Sequence, residues 1–106
     1  MKVNIKPLSV NQCWRGRRFK TPQYVKYEQM MLALLKPMKV PEGALKLQIQ
    51  VGFSSKLADI DNLLKPFIDI LQKKFKFNDR DIYKLEVEKV IVAKGKEFID
   101  FEIKQL

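Results

Sequence analysis

Residues 45–53 read Leu-Lys-Leu-Gln-Ile-Gln-Val-Gly-Phe, apolar at every second position for nine residues. Only an extended strand with one face buried has that period, so the fold must be built on a sheet. The remaining segments are read against it. Val3, Ile5 and Pro7 alternate with Asn4 and Lys6 as a short first strand, placed at an edge by Pro7. Thr21-Pro22 reads as a helix N-cap followed by proline at the first helical position. Tyr24, Tyr27, Met31 and Leu34 then recur at spacings of 3, 4 and 3, predicting an amphipathic helix that ends near Lys36-Pro37.

A second helix is expected from about Asn62 to Phe75, with Pro66 confined to its first turn or kinking it. Leu85, Val87, Lys89, Ile91 and Ala93 share one face of a later strand, and Ile99, Phe101 and Ile103 mark a last one. Lys94-Gly95-Lys96-Glu97 is expected to join these two as a hairpin. The order β-α-β-α-β-β predicts an α+β fold, a single domain over residues 1–106 with one mixed sheet covered by two helices.

The charge is lopsided. The chain carries +9 net, from 21 basic and 12 acidic side chains. Its first 41 residues hold nine Lys or Arg against one acid, Glu28, and the remaining 65 are nearly balanced. This asymmetry points to a polyanion-facing segment beside a part rich in carboxylates. Trp14-Arg15-Gly16-Arg17-Arg18-Phe19-Lys20 is the densest stretch, with two aromatics among four cations. Guanidinium forks suit phosphate oxygens, and an exposed ring can stack on a base. A solvated basic loop is the plain alternative. A membrane surface fits less well, because the stretch lacks a helical amphipathic period.

Other classes fall away. No apolar run exceeds the six residues Met30–Leu35, so no segment is expected to cross a bilayer, and the amino terminus does not read as a secretory leader. One cysteine, Cys13, fits a reducing compartment, and a cytoplasmic location is expected. Histidine is absent. That removes serine–histidine and cysteine–histidine catalysis and imidazole-based zinc sites.

Asp59-Ile60-Asp61 precedes the second helix. Two residues apart on an extended segment, both carboxylates can converge on one cation. Oxygen donors without His or Cys favour Mg²⁺, with Mn²⁺ as a substitute. Asp61 or Asn62 acting as a helix cap is the competing explanation. Asp61, Lys65 and Asp69 recur every four residues and line one stripe, where Lys65 can pair with an acid or face a phosphate. Asn78-Asp79-Arg80-Asp81 adds two more acids; Asp79 is a candidate third ligand, or part of a self-capped turn.

The run Asp59-Ile60-Asp61-Asn62-Leu63-Leu64-Lys65-Pro66-Phe67-Ile68-Asp69-Ile70-Leu71 resembles the D-x-D-N-L-x-K-x-x-x-D-x-L signature of RusA-type Holliday junction resolvases. Asn78-Asp79-Arg80-Asp81-Ile82 is similar to that family's following acidic turn. Asn11, Trp14, Gly16, Arg17 and Arg18, followed by Thr21 and Tyr24, are similar to its basic amino-terminal segment. The resemblance implies a homodimeric, Mg²⁺-dependent endonuclease that nicks four-way DNA junctions symmetrically. Its catalytic aspartates fall on Asp59, Asp61 and Asp79, which would hold the metal, and its essential lysine on Lys65. Asn11, Trp14, Arg15, Arg17, Arg18 and Lys20 are the expected DNA contacts.

Helix length adds one expectation. Fourteen helical residues span roughly 21 Å, and three linking residues retrace at most about 10 Å. Asp79 therefore struggles to reach Asp59 and Asp61 of its own chain, unless the helix is short or bends at Pro66. A two-fold dimer could bring it beside those of a partner. The rival expectations are a catalytically inactive nucleic-acid-binding protein and a flap- or RNA-directed nuclease with the same metal site.

Overall fold

A computed structural model describes residues 1–16 and 19–106. Arg17 and Arg18, two of the expected phosphate contacts, lie outside the described residues. The elements in chain order are β1 (Lys2–Val3), β2 (Trp14–Arg15), β3 (Phe19–Lys20), α1 (Pro22–Leu34), β4 (Leu45–Phe53), α2 (Leu64–Phe75), β5 (Ile82–Ile91) and β6 (Phe98–Gln105). A mixed four-stranded sheet runs β1-β6-β4-β5, and β2 with β3 forms a separate antiparallel ribbon. The α+β class is as the sequence predicts.

The alternating strand β4 sits in the interior of the sheet. Leu45, Leu47, Ile49 and Val51 are buried on its helix side, beside Ile99, Phe101 and Ile103 of β6. From above, α2 lays Phe67, Ile70, Leu71 and Phe75 onto this layer, and α1 adds Tyr24, Tyr27 and Met31. The stripe of α1 closes on buried Leu35, four residues beyond Met31, whereas Leu34 faces solvent. Thr21 caps this helix as expected, its Oγ1 accepting the Tyr24 N–H. Pro66 is the third residue of α2, where its missing N–H would have had no intrahelical partner.

Two expectations need correction. β5 and β6 are not a hairpin: both pair with β4, β5 in parallel and β6 antiparallel. The strand between them, β4, is the most buried of the three, and pairing both its edges outweighs closeness in sequence. The return from β5 to β6 crosses the end of β4, where the Phe53 carbonyl accepts the Val92 N–H at 2.8 Å. The lack of a side chain at Gly52 makes room there, since a Cβ would lie 2.5 Å from Phe98 Cε1 directly opposite.

The second correction concerns α2, which begins at Leu64 rather than Asn62. Residues 60–63 are turns instead, closed by Asn62 N–H to Asp59 O and Leu64 N–H to Asp61 O. A tertiary contact pins them there, the Asn62 carbonyl accepting the Val10 N–H at 2.8 Å.

Candidate active site and nucleic-acid interface

The Asp59–Asp61 turn lies between the end of β4 and the start of α2. Leu63 occupies the N-cap of α2 and makes no side-chain cap bond, so neither Asp61 nor Asn62 serves as the cap. Asn62 Nδ2 instead donates to Asp59 Oδ2 at 3.2 Å, steadying one carboxylate oxygen. At the other end of α2, Asn78 Oδ1 accepts the Arg80 N–H and caps the short 3-10 turn Asp79–Asp81. That leaves the Asp79 carboxylate out of the capping. Among the described residues, none of Asp59, Asp61, Asp79 or Asp81 belongs to an ion pair, in a chain of net charge +9.

One polar stripe of α2 connects the two acidic turns. Lys65 Nζ donates to Asp69 Oδ1 at 3.1 Å, an exposed pair one turn apart. Such pairs are worth only about 0.3–0.5 kcal/mol, so Lys65 is easily drawn to another anion. Gln72 Nε2 reaches Asp69 Oδ1 at 3.5 Å and the Ile68 carbonyl at 3.4 Å, and Gln72 Oε1 accepts the Asp79 N–H at 2.9 Å. Asp79 is thereby held about 12 Å along the helix from Leu64, by the rise per residue. Within one chain the third carboxylate stays away from the first two, and among the described residues no three His, Cys, Asp or Glu side chains gather closely enough to hold a metal. The Asp59–Asp61 pair suits a hard cation by donor chemistry; its number of ligands is short by at least one.

The basic segment forms a docked ribbon. Lys20 on β3 bonds Glu28 Oε2 at 3.0 Å, and Lys73 on α2 bonds Glu28 Oε1 at 2.6 Å. Partial burial pushes the Glu28 carboxyl up, but hydrogen bonds from Lys73 and Lys20 pull it below the usual carboxylate range. Trp14 packs edge-on against Tyr24, ring centres 5.6 Å apart, and Lys20 Nζ sits 5.2 Å from the Tyr24 ring centre. Burial, then the nearby charges of Asp69 and Glu28, raise the Tyr24 phenol, so it stays neutral. Trp14, Lys20, Tyr24, Asp69, Gln72 and Lys73 line one shallow groove running from the ribbon onto the α2 stripe.

Phe19 is 72% exposed and Trp14 40%, so Phe19 is not a core residue and Trp14 is only half one. Both are available for stacking. Arg15 and Asn11 are exposed beside them, Asn11 in a 3-10 turn that Ser9 caps. Sequence reasoning missed Glu28, Gln72 and Lys73 as parts of this surface. Glu28 did carry a signal, being the single acid among the first 41 residues.

Among the described residues, no helix is long and apolar enough to cross a membrane. No individually curated protein matches the chain significantly. A family model described as Endodeoxyribonuclease RusA matches residues 5–102, which takes in the ribbon, both acidic turns and the whole of α2. The chain belongs to the RusA endodeoxyribonuclease family.

Proposed function

We propose that the protein is a metal-dependent, structure-specific endodeoxyribonuclease that resolves four-way DNA junctions as a homodimer. The observation that carries this reading is the set of carboxylates, unpaired among the described residues, on turns flanking a lysine-bearing helix in a strongly basic member of an endodeoxyribonuclease family. Acids at a DNA-facing surface repel phosphate unless a cation inverts the local charge. Asp59 and Asp61 would hold Mg²⁺ together with Asp79 contributed by the partner subunit. The ion, when bound, polarises a phosphoryl oxygen and lowers the pKa of a water.

The chain's own residues supply the rest. Lys65 leaves its weak pair with Asp69 to neutralise charge on the scissile phosphate. Asn62 fixes the orientation of Asp59, and Gln72 fixes the turn that carries Asp79. Arg15 and Lys20 grip the phosphate backbone without reading sequence. Phe19 and Trp14 stack on bases unpaired at the branch point.

A mobile four-way junction incubated with Mg²⁺ or with chelator tests the reaction. Wild-type protein is expected to cut only with metal, and Asp61→Asn to bind without cutting. Mixing Asp59→Asn with Asp79→Asn subunits tests the shared site, since each mixed dimer regains one intact centre. The lack of a three-acid cluster among the described residues of one chain also favours a second reading, a junction-binding protein without nuclease activity. It calls for salt-sensitive binding and no cleavage under any metal.

A further inference from the structure

The shared site needs a partner delivered in one orientation, and the sheet offers a place for it. β5 is the last strand of the sheet, ten residues long, and only one of its edges pairs with β4. The helices do not cover it well. Leu85 and Ile91 lie on the helix side of the sheet, in register with Leu47 and Phe53, yet remain 41% and 45% exposed. A long strand edge with exposed apolar side chains is a template for another strand.

We propose that the outer edge of β5 pairs antiparallel with β5 of a second copy of this chain, joining two sheets across a two-fold axis that passes through Leu85. This rests on the shared-site reading above. A two-fold axis normal to the sheet keeps the helices of both copies on one side and pairs residues whose numbers have a constant even sum. Charge selects among the registers that pair seven or more strand residues. Centring on Glu86 or Glu88 sets two glutamates opposite each other, and centring on Val87 sets Glu86 against Glu88 twice. Centring on Leu85 sets Leu85 against itself and Lys84 against Glu86 on both sides. Opposed like charges are unfavourable and opposed unlike charges favourable. Only the Leu85 register is free of clashes in charge.

That register also meets the chemical need. Antiparallel pairing runs the start of one β5 beside the end of the other. Residue 79 then falls opposite residue 91, and residue 81 opposite Lys89. The end of β5 is where the Asp59 turn is anchored, because Lys89 Nζ donates to the carbonyls of Lys56 at 2.9 Å and Ala58 at 2.5 Å. Strands in a sheet are roughly 4.8 Å apart. The acidic turn of each subunit is thus brought to the Asp59–Asp61 turn of its partner, twice per dimer.

Single cysteines in the full chain test the register, since the native Cys13 is buried. Under mild oxidation Leu85→Cys is expected to give a covalent dimer on a non-reducing gel, and Val87→Cys much less. In sedimentation, Lys84→Glu and Glu86→Lys should each weaken the dimer about tenfold, and the double exchange should restore it. Failure of Leu85→Cys to cross-link, stronger cross-linking by Val87→Cys, or no rescue by the double exchange overturns the proposal. Cleavage by mixed Asp59→Asn and Asp79→Asn subunits with no Leu85→Cys cross-link would keep the nuclease reading and reject this interface. Cross-linking without any junction cleavage would do the reverse.

Discussion

The side-chain oxygen of Gln72 accepts the backbone N–H of Asp79 at 2.9 Å, tying an acidic turn to the middle of a helix stripe that also carries Lys65 and Asp69. Removing that acceptor frees the turn without touching a carboxylate. Gln72→Met is expected to leave junction affinity within about twofold and to lower the cleavage rate by roughly tenfold to a hundredfold, the scale of a misplaced catalytic group. Single-turnover cleavage beside a binding titration separates the two effects. The fold should lose only about 1 kcal/mol, one net hydrogen bond.

Phe19→Ala should weaken binding to a junction by roughly tenfold to a hundredfold, since stacking on a base is worth about 1–3 kcal/mol. Its thermal midpoint should not move, because the ring is exposed. Trp14→Ala should lose similar affinity and also some stability, because its ring packs against Tyr24. Fluorescence anisotropy and thermal melts on both variants make the comparison.

Glu28 predicts an acid-sensitive docking of the ribbon. Its folded carboxyl titrates below the unfolded value of 4.5, so the stabilisation is complete above 4.5 and is lost as pH falls through the lower folded value. Glu28→Gln should therefore be less stable than wild type by about 1 kcal/mol at neutral pH. The gap should close toward acid and not toward base. Urea midpoints measured from pH 7 down to about pH 3 show the sign directly.

Gly52→Ala should destabilise the sheet by about 1–3 kcal/mol, the usual range for overpacking, because the new methyl meets the Phe98 ring. Combining it with Phe98→Leu should recover part of that loss. The two melting midpoints and their double-mutant difference settle the coupling.

Much of this was readable from residues alone. The alternation of 45–53 identified a strand with one buried face, and Thr21-Pro22 located the start of α1 to the residue. Local chemistry decided both. The pairing of β5 was not local: both late strands look alike in pattern, and only competition for the edges of β4 separates them. The start of α2 was misjudged by two residues for the same reason, a contact from Val10 that no periodicity reports. Helix length alone exposed the separation of Asp79 from Asp59 and Asp61. Gln72 stayed hidden, because an amide with no chemistry of its own matters only through what it orients.

The position of β4 between two strands that follow it has a consequence for how the molecule comes into being. Its hydrogen-bonding edges are met by residues 82–91 and 98–105, and β1 finds its partner only in Ile99 and Asp100. During synthesis on the ribosome, residues up to Asp100 must emerge before the first strand has its partner in this sheet. Distant pairings of this kind slow folding. Removing β6 would strand β1 and bare one side of β4, so loss of the last eight strand residues should abolish the native state rather than trim it.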